Sequence, residues 1–120
     1  MASHNELGAL GEQLAVQFLL REGYEILARN YRFQKAEIDI IAQREADVVV
    51  MVEVKTRNSS YFGDPQSFVT PAKIKLLVKA ANEYIIANDL DVEVRFDIIA
   101  VLKNEETEQI EHFPNAFYHF

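Results

Sequence analysis

The sequence feature that most constrains the fold is a ten-residue stretch, Val48–Arg57, which reads Val-Val-Val-Met-Val-Glu-Val-Lys-Thr-Arg. Its first half is an uninterrupted apolar run rich in β-branched residues, a pattern typical of a strand buried in the centre of a sheet. Because side chains alternate along a strand, Glu53 and Lys55 point to the same face. Two charges at the end of a buried strand are costly unless they pair or serve a site. A salt bridge at the rim of the core and a functional pair are both open interpretations at this point.

Length and composition predict a single cytoplasmic domain. The 120 residues are enough for one domain, covering residues 1–120, with a hydrophobic core of its own. The absence of cysteine excludes disulfides and thiolate metal sites. No apolar run reaches the length of a membrane span, and the N-terminus lacks the basic-then-apolar pattern of a signal peptide. We therefore expect no association with a membrane.

Charge is distributed unevenly along the chain. The formal net charge of −7 argues against a general nucleic-acid-binding protein. The acidic excess lies entirely in the last third, however, and the balance is basic between residues 55 and 82. Solvation of a helix surface is the alternative explanation for each lysine in that segment. The candidates for nucleic-acid binding are Arg57, Lys73, Lys75 and Lys79.

The first half of the chain predicts one helix and three strands. The helix begins near residue 4, and strands at residues 24–33 and 37–42 precede Val48–Arg57. Short connections predict that the three strands form an antiparallel meander. Strict alternation in the second strand places Ile38 and Ile40 on one face and Asp39 on the other. The residues of the helix that recur at the spacing of a core-facing stripe are Leu7, Leu10, Leu14 and Phe18.

The second half predicts a helix between two strands of the same sheet. Thr70 and Pro71 are typical of a helix start, and this helix ends near residue 88. A strand at residues 92–102 follows, and residues 109–113 are a candidate edge strand. We predict an α/β fold of order α-β-β-β-α-β, with a mixed central sheet flanked by helices. In the loop before the second helix, Tyr61, Phe62 and Phe68 either stack on bases or cover the edge of the core.

Three acidic residues and one lysine are the candidate catalytic residues. Aspartate is a poor strand residue, so Asp39 is either a hydrogen-bonded structural carboxylate or a metal ligand. Asp39 and Glu53 are expected on adjacent strands, and Glu12 follows Gly11 on a helix stripe that permits close packing, although an ordinary exposed glutamate is the alternative. Converging carboxylates raise one another's pKa unless a cation neutralises them, and oxygen ligands suit Mg²⁺ or Mn²⁺. Lys55 could orient an attacking water or stabilise charge on a phosphate.

These residues belong to a series of motifs that resembles the YraN-like family of uncharacterised bacterial proteins, over about residues 8–101. That family is similar to the PD-(D/E)xK nuclease superfamily, notably to archaeal Holliday-junction resolvases. The resemblance implies a restriction-endonuclease-like fold, with Asp39 and Glu53 as metal ligands, Lys55 as the catalytic lysine and Glu12 as an accessory acid near the metal. The motifs are Gly8-x-x-Gly11-Glu12-x-x-Ala15, Arg29-Asn30-Tyr31-Arg32, Glu37-Ile38-Asp39, Glu53-Val54-Lys55-Thr56-Arg57, Lys73 and Arg95-Phe96-Asp97.

Three functions are compatible with the sequence. The first is a metal-dependent endonuclease that acts on DNA, including branched or damaged DNA, and the set Asp39, Glu53 and Lys55 favours it. The second is a nucleic-acid-binding protein with little catalysis, and the third is a non-catalytic interaction module with an acidic C-terminal third. A weak electrostatic potential of mixed sign favours these last two. DNA is the expected partner, and because resolvases act as dimers, the resemblance also raises a homodimer as an expectation.

Overall fold

The computed structural model of the chain describes residues 4–59 and 69–117. Tyr61, Phe62 and Phe68 lie outside the described residues, so both interpretations of these aromatic side chains stay predictions. None of the described helices is long and apolar enough to cross a membrane. The elements are α1 (His4–Arg21), β1 (Glu25–Phe33), β2 (Ala36–Gln43), β3 (Val48–Arg57), α2 (Pro71–Ala87), β4 (Glu93–Lys103) and β5 (Glu108–Phe113).

The strands form one mixed sheet in the order β1-β2-β3-β4-β5. The pair β3–β4 is parallel and the other pairs are antiparallel, because α2 returns the chain to the same end of the sheet between β3 and β4. Each face of the sheet carries one helix and one apolar core: Ala15 and Leu19 of α1 pack on one face, and Leu77 and Ala81 of α2 pack on the other. This architecture confirms the predicted α/β fold with a restriction-endonuclease-like core, and the candidate edge strand is present as β5.

The predicted core-facing stripe of α1 is confirmed only in part: Leu14 and Phe18 pack against the core under the helix, whereas Leu10 does not. Leu10 is 38% exposed, whereas Ala15 and Leu19 are fully buried. The reason is steric: a Cβ on Gly11 would overlap with the Thr56 side chain of β3. Helix α1 therefore turns its small residues toward the sheet, because this face permits the closest approach of the two backbones.

The predicted alternation of β2 is wrong. Ile38 packs in the core under α2, whereas Ile40 packs in the core under α1. On the neighbouring strand, Asn30 lies between the paired residues opposite Ile38 and Ile40 and has a positive φ of 51°. A left-handed residue is uncommon in a strand, and asparagine tolerates it better than most. The regular period of two is interrupted at this point, directly beside Asp39.

Candidate active site

The candidate site forms where two central strands separate. Strands β2 and β3 pair from Gln43 opposite Val49 as far as Ile40 opposite Val52. Asp39 and Glu53 are the next residues along the two strands. The backbone N–H of Val54 donates a hydrogen bond of 2.8 Å to Asp39 Oδ2. Where the strands separate, this N–H of β3 therefore bonds to a side-chain carboxylate of β2 and not to a backbone carbonyl. The end of the ladder thus brings the two acids together, as the sequence predicted.

A cleft of about 460 Å³ opens at this point. The predicted residues that do not line it are Lys75 and Lys79, which are exposed on α2. Lys35 and Glu37 also line the cleft. The sequence indicated no site role for either residue, although Glu37 belongs to the Glu37-Ile38-Asp39 motif. The predicted residues that line the cleft are Glu12, Asp39, Glu53, Lys55, Arg57 and Lys73.

The two carboxylates share a largely buried environment. Glu53 is only 4% exposed, and it continues the side of β3 on which Val49 and Met51 pack under α2. Burial, together with a hydrogen bond to Glu53 and the charge of that residue, raises the pKa of Asp39 to about 8. The hydrogen bond from the N–H of Val54 lowers the pKa of Asp39 and opposes these effects. Two adjacent carboxylates therefore resist double ionisation, which is the situation that a bound cation relieves.

Lys73, which the sequence predicts as a nucleic-acid-binding residue, contacts Glu53 in the structure. Its Nζ lies 2.9 Å from Glu53 Oε2, which makes an ion pair. The position follows from the start of α2, where the Thr70 side chain accepts a hydrogen bond from the Lys73 N–H at 3.2 Å and fixes the first helical turn. Burial lowers the pKa of Lys73, but the contact with Glu53 and its negative charge outweigh burial, so the net direction is upward.

Lys55 lies on the same face of β3 as Glu53, two residues further along. Its pKa is lowered, first by burial and then by the positive charge of Lys73, against the opposing attraction of Glu53. The ion-pair partner of Glu53 is thus Lys73. Lys55 lines the same cleft as both carboxylates but forms no ion pair with either of them.

Glu12 reaches the cleft from α1, because the contact of Gly11 with Thr56 holds this part of the helix against β3. The Nδ2 of Asn30 donates hydrogen bonds to Glu12 Oε1 at 2.9 Å and to Glu37 Oε1 at 3.1 Å. Asn30 thereby connects α1 to the sheet at the edge of the site. The sequence shows Asn30 within an Arg-Asn-Tyr-Arg motif, but nothing in its spacing indicates this bridging position.

The residues present fit a two-carboxylate site for a divalent cation. Within residues 4–59 and 69–117, no group of three His, Cys, Asp or Glu side chains is close enough to hold a metal. Asp39 and Glu53 are sufficient in number, since Mg²⁺ keeps several waters and is often held by one or two carboxylates. The buried Oε2 of Glu53 also has no well-aligned hydrogen-bond donor among the described residues, although Lys73 lies at ion-pair distance. The role of Glu12 as a ligand, directly or through water, stays a prediction.

A second polar cluster lies on the opposite face, under α1. Asp97 is fully buried and accepts two hydrogen bonds of 2.9 Å from Arg95, one from the N–H of Asn115, and a contact of 2.7 Å from His112 Nε2. Burial raises the pKa of Asp97, but these partners lower it more, so the carboxylate stays ionised. Arg95 also donates to the Tyr24 hydroxyl at 2.9 Å. These partners stabilise the buried charge of Asp97. The cluster does not line the cleft.

The fold and the carboxylate cleft define a restriction-endonuclease-like α/β protein. The chain belongs to Uncharacterised protein family UPF0102, whose model matches residues 11–101, and this confirms the resemblance seen in the sequence. A UPF0102 protein of Flavobacterium psychrophilum is 65% identical over the full length of both chains. A UPF0102 protein of Bacteroides thetaiotaomicron is 46% identical over 98% of this chain and 97% of its own.

Among solved structures, the chain is similar to Pyrococcus furiosus SfsA in complex with Ca²⁺. The identity is 16%, and the likeness covers 90% of this chain and 62% of that chain, with a TM-score of 0.32. A likeness this weak does not inform the function.

Proposed function

We propose that the protein is a metal-dependent endonuclease that hydrolyses phosphodiester bonds in DNA. The observation that supports this most is the meeting of Asp39 and Glu53 at the point where β2 and β3 separate, with Lys55 two residues beyond Glu53. Two acids and a lysine on diverging central strands suit such hydrolysis, because the acids can hold a cation and the lysine can act on the attacking water or the phosphate.

Each residue has a distinct part in the proposed reaction. Asp39 and Glu53 would hold Mg²⁺ or Mn²⁺, which when bound polarises the phosphodiester and lowers the pKa of a bound water. Lys55 projects into the same cleft, where its amine can orient the attacking water or stabilise negative charge on the phosphate. Arg57 and Lys35 line the cleft beside the acids and supply positive charge for the adjacent backbone phosphates.

The experiment is a cleavage assay on plasmid and on a four-way DNA junction, with Mg²⁺ or Mn²⁺ and with chelator. We expect metal-dependent cleavage by the wild type and its loss in Asp39→Asn and in Glu53→Gln. Asp91→Asn is the matched control, because Asp91 is exposed and lies outside the cleft. A wild type that is inert on both substrates, or variants that cleave as well as the wild type, would contradict the proposal.

Nucleic-acid binding without hydrolysis is the second candidate function. The observation that favours it is the ion pair between Lys73 and Glu53, because a lysine already neutralises one of the two acids. In that case the wild type would bind DNA with an affinity that falls steeply with salt, without cleaving it. Charge reversal at Lys75 and Lys79, the exposed lysines of α2, would then weaken binding.

A further inference from the structure

We propose that Lys73 is an internal cation that competes with the divalent metal for Glu53, so that the metal binds only when the ammonium moves away. This inference rests on the proposed metal site at Asp39 and Glu53. It assigns Lys73 a regulatory position in that site, where its charge sets the affinity for the metal.

The geometry places the ammonium where a metal would have to bind. Lys73 Nζ lies 2.9 Å from Glu53 Oε2, the carboxylate oxygen that has no well-aligned donor among the described residues. A divalent cation that used the same oxygen would face a like charge at very short range. The ammonium and the metal therefore exclude each other from Glu53 Oε2.

The two partners differ in their freedom to move. The Glu53 side chain belongs to the central strand β3 and is 4% exposed, whereas the Lys73 side chain is 41% exposed. A lysine has a long flexible stem and retains its hydration when the ammonium turns to solvent. Lys73 can consequently leave Glu53 while α2 stays in place.

Competition of this kind predicts tighter metal binding when the lysine is removed. Calorimetric titration of the metal-free protein with MnCl₂ would compare the wild type with Lys73→Met. We expect Lys73→Met to bind Mn²⁺ about tenfold more tightly, a coupling within the usual range for two linked ligands. Lys75→Met, on the exposed side of the same helix, should bind as the wild type does.

Loss of positive charge alone must be separated from loss of the ion pair. Lys55→Met removes a positive charge from the same cleft and leaves the contact of Lys73 with Glu53 intact. The gain in Mn²⁺ affinity should therefore be clearly larger for Lys73→Met than for Lys55→Met. Thermal melting gives an independent measure, since Lys73→Met should melt lower than the wild type without metal and gain more than the wild type from Mn²⁺.

The outcomes separate this inference from the proposed function. If the wild type binds Mn²⁺ and Lys73→Met gains no more affinity than Lys55→Met, the competition is refuted and the metal site stands. If neither the wild type nor any variant binds Mn²⁺, the metal site itself is refuted and the inference falls with it. Should Lys73→Met fail to fold, Lys73→Gln decides, because it replaces the ammonium with a neutral polar amide, and the same tighter binding of Mn²⁺ is expected.

Discussion

Replacing Lys55 by methionine separates the proposed chemistry from the stability of the fold. The pKa of Lys55 is lowered by burial and by Lys73, which means that the folded protein disfavours its charged form. Removing that charge should therefore not destabilise the fold, and methionine keeps most of the apolar stem. Because Lys73 is the ion-pair partner of Glu53, the buried carboxylate keeps its counterion in this variant.

The magnitudes expected for Lys55→Met follow from this arrangement. The free energy of unfolding should stay within about 1 kcal/mol of the wild type, as for other substitutions that break no buried pair. For a chain of this size, the melting temperature should then change by less than about 5 °C. Cleavage should fall by about 10²–10³-fold, the usual loss when one group that stabilises charge in the transition state is removed.

The assay is a single-turnover nicking reaction on plasmid with Mg²⁺, run beside a thermal melt of the same preparations. Arg21→Met is the control, since Arg21 is exposed at the end of α1 and lies outside the cleft. Two results would refute the reasoning. Undiminished nicking would remove Lys55 from the chemistry, and a fall in melting temperature of more than about 10 °C would show that Lys55 is a structural counterion after all.

Three further predictions concern the stability of the fold. Gly11→Ala should lower the free energy of unfolding by about 1–3 kcal/mol because the added methyl overlaps with Thr56, and Thr56→Ala should partly restore it in a denaturant titration. Asp97→Asn should cost about 3 kcal/mol by leaving Arg95 without its buried carboxylate, and an unchanged melting curve would contradict this. The folded-state pKa of Asp97 lies below its unfolded value, so its contribution is present at neutral pH and is lost as the pH falls below about 4. The wild type should therefore lose more stability than Asp97→Asn over that range, and parallel pH profiles would contradict it.

Much of the fold follows from local sequence patterns. The apolar run of β3 and the Thr70-Pro71 start of α2 predict elements that the structure contains at the expected positions. Both signals are local: a buried strand needs contiguous apolar residues, and a helix start needs a capping side chain. The proximity of Asp39 to Glu53 was also predictable. When two antiparallel strands are joined by a short connection, the length of that connection determines which residues of the two strands lie side by side.

The errors occur where tertiary contacts override a local period. The predicted stripe of leucines and Phe18 is the more hydrophobic face of α1. The neighbouring face has smaller side chains, and Gly11 allows it to approach β3 more closely. The alternation of β2 is interrupted beside Asp39, opposite the left-handed Asn30 of β1, and no periodicity of the sequence indicates either feature. The position of Lys73 against Glu53 depends on how α2 packs on the sheet, which its helical spacing alone does not determine.

The proposed chemistry depends most on the joint binding of a divalent cation by Asp39 and Glu53. The most direct measurement is the anomalous difference density of crystals soaked with Mn²⁺, collected at the manganese absorption edge. We predict a peak in the cleft within coordination distance of both carboxylates, with Lys73 moved away from Glu53 Oε2. A cleft without a manganese peak, in crystals where Lys73 still contacts Glu53, would contradict this joint binding.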